Sequence, residues 1–307
     1  MTIRLAIVGL GKIARDQHLP AIAASDTFDL AATVDPAAEK TAEAPHFPDL
    51  DSLMSSDAQV DAVAVCSPPQ SRYPLAAAAL HAGRHVLLEK PPCATLSEAH
   101  ALADLAATKG CTLFTAWHSR FAAGVVPARE WLKGKAVRSV EIDWREDVRV
   151  WHPGQKWIFE PGGFGVFDPA INALSIATAI LPRALMVESS ELAVPANCAA
   201  PIAGRLEMKD GEGVPVHLDM DFLHEGQQCW DIVVHTDAGV LVLSMGGSVL
   251  QTPDGREEGE DREYAGVYSA FADAIQSGRS DIDFAPLRLV ADAFLRARTS
   301  RAPAFHE

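Results

Sequence analysis

The start of the chain limits the possible folds more than any other stretch. Arg4-Leu5-Ala6-Ile7-Val8 is a nearly unbroken apolar run, and Gly9-Leu10-Gly11-Lys12-Ile13-Ala14 follows it directly. A strand reads as a continuous apolar run when helices cover both of its faces. Similar runs recur at 28–34, 60–66, 85–88 and 112–117, with helix-like stretches between them. One helix is expected after Pro74, ending near Gly83; another opens at Thr95-Leu96-Ser97-Glu98, a capping-box pattern. Strand–helix alternation predicts an α/β fold with a doubly wound parallel sheet, the Rossmann arrangement.

Beyond about residue 120 the pattern changes. The segments 137–144, 185–194, 202–208, 214–222, 230–235 and 240–244 alternate polar and apolar residues, as antiparallel strands with one exposed face do. Helices are expected at 124–132, 167–180, 264–275 and 286–296. At 307 residues the chain is long for one domain. The division predicted is 1–120 for a dinucleotide-binding domain and 121–307 for an α+β substrate domain.

A net charge of −15, from 26 basic and 41 acidic side chains, argues against a nucleic-acid partner. No apolar run reaches the ~18 residues a membrane span needs. The first residues lead straight into a strand, so no signal peptide is expected. The five cysteines are scattered, with no C-x-x-C pair. Neither a metal site nor a disulfide framework is expected, and a cytoplasmic location is.

Gly9 to Ala14 is G-x-G-x-x-A between a strand and a helix. Gly9 allows the tight turn, Gly11 lets a pyrophosphate approach the backbone, and Ala14 packs closely on the strand. The helix N-terminus adds free amides and a positive dipole end. Lys12 and Ile13 complete this cofactor loop. Asp35 ends the second strand, where an acid bonds the ribose hydroxyls of NAD and repels the 2′-phosphate of NADP; a plain cap is the alternative. Ser67-Pro68-Pro69 forms a rigid turn after the third strand, suited to the middle of a dinucleotide or simply to a turn. Glu89-Lys90-Pro91 closes the fourth strand and places a lysine where open sheets bind ligands.

These motifs, with Gly162-Gly163-Phe164-Gly165-Val166-Phe167-Asp168-Pro169-Ala170-Ile171-Asn172, resemble the Gfo/Idh/MocA oxidoreductase family over essentially the whole chain. Trp117-His118-Ser119-Arg120, Trp151-His152-Pro153-Gly154-Gln155 and Glu160-Pro161-Gly162-Gly163 sharpen the likeness to its members that oxidise D-galactose or L-arabinose at C1. The resemblance implies NAD as cofactor, a C-terminal domain with an open-faced, mostly antiparallel sheet, and a homodimer paired through it. Many family members have a histidine where Asn172 stands, so that histidine's role does not transfer. NADP-accepting relatives carry a small residue and an arginine at the position of Asp35.

Oxidation at C1 needs a group for the O1 proton and several that hold the other hydroxyls. Lys90 and Asp168 are assigned jointly to proton transfer. Asn172, one helical turn beyond Asp168, is assigned to orient a hydroxyl. His118, Glu146, Trp151 and His152 are the expected sugar-holding set, and Glu89 is grouped with the cofactor residues. Trp144, Trp157 and Trp230 are expected in the core, and His18 in a structural role. Two alternatives are another sugar or inositol oxidation and a non-catalytic sensor on the same fold.

Overall fold

The computed structural model describes residues 2–37 and 44–307. The chain divides into two compact units, Met1–Trp117 with Tyr264–Phe284, and His118–Glu263 with Ala285–Glu307. A single cut at residue 120 therefore leaves out a late segment that packs with the first unit. The reason is an apolar stripe on the helix Glu263–Gln276: Tyr264, Val267, Tyr268 and Phe271 are all buried, at helical spacing. Phe271 stacks on Phe28 at 5.8 Å between ring centroids and lies 5.7 Å from Phe114. The segment is also tied by bonds to its main-chain carbonyls, from the Thr115 amide to Asp281 at 3.0 Å and from the Trp117 indole Nε1–H to Asp283 at 3.0 Å.

The first unit contains β1 (Ile3–Val8), β2 (Phe28–Val34), β3 (His46–Phe47), β4 (Ala62–Val65), β5 (His85–Glu89) and β6 (Leu113–Ala116). They pair in the order β3-β2-β1-β4-β5-β6, all in parallel. The order reverses between β1 and β4, so the turns after these strands flank the crevice that open parallel sheets offer to ligands. Leu5, Ala6, Ile7 and every residue of β4 are buried, as a sheet covered on both faces requires. The helix expected to begin after Pro74 instead spans Pro69–His81, with Pro74 inside it. Only one early ladder bond is lost to Pro74, while Pro69 presets φ at the first helical position. The helix Leu96–Lys109 has the expected capping box from Thr95 and Glu98.

The second unit is built on β7 (Val137–Arg145), β8 (Leu185–Pro195), β9 (Ala203–Asp210), β10 (Pro215–Asp221), β11 (Cys229–Thr236), β12 (Gly239–Ser244), β13 (Val249–Thr252), β14 (Gly255–Glu258) and β15 (Ala297–Ala302). Their order is β14-β13-β12-β11-β7-β10-β9-β8-β15. The pairs β7–β10 and β8–β15 are parallel and the other six antiparallel. The last three strands were not legible in the sequence: β13 and β14 have four residues each, and β15 reads Ala-Arg-Thr-Ser-Arg-Ala without apolar alternation. Val216, Leu218 and Met220 of β10 are buried, whereas His217, Asp219 and Asp221 lie on the other face. The helix Phe167–Ile180 is apolar nearly all round and correspondingly buried.

Candidate active site

In the first unit the cofactor loop is shaped by backbone. Gly9 has φ +92°, and a Cβ there would lie 2.8 Å from the Ser67 amide nitrogen. The turns after β1 and β4 thus approach more closely than any side chain would allow. A Cβ on Gly11 would meet nothing within 4 Å, which leaves open space beside the loop. Ala14 is fully buried. The helix beyond opens with a π-helical turn, Ala14–His18. Asp35 accepts from the Leu10 amide at 2.8 Å and the Ala37 amide at 2.8 Å. Its carboxylate therefore braces the glycine loop, and the cap reading and the ribose reading apply to the same side chain. Lys12 pairs with Asp16 on an exposed surface, and Ile13 is half-buried.

Lys90 is half-buried, and the Lys90–Pro91 peptide is cis. The carboxylate of Glu89, itself buried, accepts from the Lys90 amide at 2.9 Å and from the Tyr264 hydroxyl at 2.6 Å. His18 Nε2 lies 3.0 Å from the same carboxylate, and His18 Nδ1 2.8 Å from the Tyr268 hydroxyl. Burial opposes charge on His18, but Cys66, Tyr268 and Glu89 together carry its pKa well above the usual imidazole value. Of those three, Glu89 is the partner whose ordinary state at neutral pH is charged. Burial pushes the Tyr268 hydroxyl up to about 12, so it stays protonated. His18, expected in a structural role, is fully buried, and one partner is the acid of the Glu89-Lys90-Pro91 triplet.

In the second unit Asp168 lies in the first turn of the helix Phe167–Ile180, where free amides favour a negative side chain. It is buried, and His152 Nδ1 lies 3.8 Å from its Oδ2. His152 Nε2 lies 3.1 Å from Glu146 Oε1, and the Trp230 indole donates to Glu146 Oε2 at 2.8 Å. His152 thus stands between two buried carboxylates. Both oxygens of Glu146 already have protein partners, so the expected sugar-holding acid acts at least in part by holding His152. Trp151, 39% exposed, packs edge-on against Trp230 at 4.8 Å. Asn172 follows one turn after Asp168, and its buried Oδ1 has no hydrogen-bond partner among the described residues. His118 begins the short 3₁₀ turn His118–Phe121 and pairs with Glu263.

The expectation of three core tryptophans changes. Trp230 is half-buried, with its indole N–H on the buried Glu146; Trp157 is likewise half-buried, while Trp144 is core. Gly163 and Gly165, just before the helix Phe167–Ile180, permit close approach of this chain's own backbone. A Cβ on Gly163 would lie 2.3 Å from the Trp157 and Ile158 carbonyls, and one on Gly165 2.1 Å from that of Pro201. Sequence reasoning also missed Arg72, Tyr264 and Glu263. The partners of Tyr264 and Glu263 lie far along the chain, at Glu89 and His118, and Arg72 reaches main-chain carbonyls of Ser67, Glu89 and Pro91, which carry no side-chain pattern.

Residues 3–117 match the family described as an oxidoreductase family with an NAD-binding Rossmann fold, Gfo/Idh/MocA. Over 307 residues the chain is 45% identical to the galactose 1-dehydrogenase of Pseudomonas fluorescens, covering 99% of each. It belongs to the Gfo/Idh/MocA oxidoreductase family. The crystal structure of a D-galactose-1-dehydrogenase from Rhizobium etli matches with a TM-score of 0.94 and 48% identity, covering 99% of this chain and 98% of that one. A 3-ketoreductase from Actinomadura kijaniata, at 20% identity and a TM-score of 0.85, shares the fold. Among the described residues no helix is long and apolar enough to cross a membrane.

Proposed function

We propose that the protein is an NAD-dependent aldose 1-dehydrogenase that oxidises the C1 hemiacetal of D-galactose to the lactone. The observation that carries this reading is the full-length likeness to galactose 1-dehydrogenases, which spans both units. L-Arabinose is a second candidate substrate. Its pyranose ring shares the C2–C4 arrangement of galactose and lacks only the C5 hydroxymethyl, a difference often worth about 1–3 kcal/mol.

Gly9, Gly11, Lys12, Ile13, Asp35, Ser67 and Pro68 would hold NAD; Glu89, expected among them, is buried with both carboxylate oxygens bonded within the chain, so it acts through Lys90 instead. The open space beside Gly11 and the acid at Asp35 fit it, and Asp35 disfavours a 2′-phosphate. Bound NAD supplies the two-electron acceptor for the C1 hydrogen. Lys90 and Asp168 manage the O1 proton. Lys90 serves as an ammonium that stabilises developing charge or as an amine that accepts the proton. Asn172 presents its unpartnered Oδ1 to a hydroxyl donor. His152, held by Glu146, and the exposed face of Trp151 take further hydroxyls and an apolar face of the ring. His118, paired with Glu263, belongs to the same set.

A homodimer through the open face of the second unit's sheet is part of the proposal. That face carries cross-strand charge pairs such as Arg205–Asp219 at 3.1 Å; light scattering in solution would show the mass of a dimer if the chain pairs and of a monomer if it does not. A cytoplasmic home fits the free cysteines. The deciding assay follows NADH formation over a panel of aldoses. Turnover with D-galactose or L-arabinose well above glucose and inositol supports the reading. Binding of NAD and sugar without NADH would favour a sensor.

A further inference from the structure

We propose that Arg72 and Tyr264 are positioning residues that fix the backbone of Lys90, an inference that rests on the reading of Lys90 as the group at O1. Arg72 lies on the helix Pro69–His81 and is 3% exposed. Its guanidinium donates from Nη1 to the Glu89 carbonyl at 2.5 Å and to the Pro91 carbonyl, and from Nε to the Ser67 carbonyl at 3.0 Å. One planar fork therefore grips the main chain on both sides of Lys90 and also holds the turn after β4. A flexible ammonium with a single point charge would not reproduce this geometry.

Tyr264 acts from the other direction. Its hydroxyl donates to Glu89 Oε1 at 2.6 Å, while Glu89 Oε2 accepts from the Lys90 amide at 2.9 Å. His18, backed by Tyr268, completes the ring of partners around that carboxylate. The carbonyls of both neighbours of Lys90 are thus fixed by Arg72 from one helix, and its amide by Glu89, whose carboxylate Tyr264 holds from another. A lysine reaches its target through four rotatable bonds, so the placement of its Cα sets where the Nζ can be delivered. Misplacing a reacting group by about 1 Å can cost on the order of 10²-fold in rate.

The test compares Arg72→Met, Arg72→Lys and Tyr264→Phe with Thr95→Ala and Lys90→Met. Thr95 closes the capping box of the helix Leu96–Lys109 and serves as a control that lowers Tm without touching the site. The expected result is a fall in kcat on the order of 10²-fold for Arg72→Met and about 10-fold for Tyr264→Phe. The KM for galactose and the Kd for NAD, read by protein fluorescence, should stay within about threefold. Arg72→Lys should recover little of the loss. Thr95→Ala should lose Tm and keep kcat. Near-parental kcat in Tyr264→Phe and Arg72→Met, alongside an inactive Lys90→Met, overturns the positioning role alone. An active Lys90→Met instead overturns the reading of Lys90 itself. If Arg72→Met does not fold, Tyr264→Phe decides the question.

Discussion

The two units build their functional residues in different ways. In the glycine loop of the first, main chain does the shaping: a glycine at φ +92° lets two turns meet, and Asp35 binds two amides; only around Lys90 does that unit also rely on a side-chain network. In the second, side chains hold one another, from Trp230 to Glu146 to His152, with Asp168 beyond. Backbone geometry can be specified by short motifs, because a turn needs particular residues at adjacent positions. A side-chain chain of this kind draws on residues from 146 to 230, so no short stretch encodes it.

Replacing Lys90 strains this contrast most. Lys90→Met should lower kcat by about 10²–10⁴-fold, the usual scale of general acid–base catalysis, while NAD binding survives, because the glycine loop does not depend on it. If NAD binding collapses as well, the first unit is less backbone-determined than the geometry implies. Asp168→Asn should depress turnover by about 10²-fold or more, and more than it weakens sugar binding. The reverse pattern would make Asp168 a holding group like its neighbours. Glu146→Gln tests the side-chain network directly. With the charge removed from a buried partner of His152 and Trp230, a loss of about 1–3 kcal/mol is expected, seen chiefly as a raised sugar KM. An unchanged KM would mean that the network only stabilises the fold. The smallest effect is expected for Asp35→Ala, which should narrow the NAD-over-NADP ratio of kcat/KM by about tenfold, a hydrogen bond to a charged group being worth about 1.5–3 kcal/mol. Because Asp35 also braces Leu10, a modest fall in Tm should accompany it.

The same contrast decides what could be read from the residues alone. Gly9, Gly11, Ala14 and Asp35 were legible because turn geometry and strand ends are local properties, and the structure places them on the loop after β1 and at the end of β2. Asp168 and Asn172 were legible as a pair because helical spacing puts them on one face. Trp230 was misread because a half-buried indole and an indole in the core have the same local pattern. The helix Glu263–Gln276 was expected at 264–275, yet its membership of the first unit was not, since an amphipathic stripe says that something is buried and not against what.

The sequence by itself determined the parallel nucleotide-binding unit, the sugar-oxidoreductase family and the triplet around Lys90, because each rests on residues adjacent in the chain or one helical turn apart. Only the tertiary structure decided that Arg72 and Tyr264 flank that triplet, that Glu146 binds His152 and Trp230, and that Gly165 exists to clear Pro201. Hydrogen bonds between residues far apart in sequence leave no periodic signature. They form only once burial makes an unpaired polar group costly and the packed elements leave a single partner within reach.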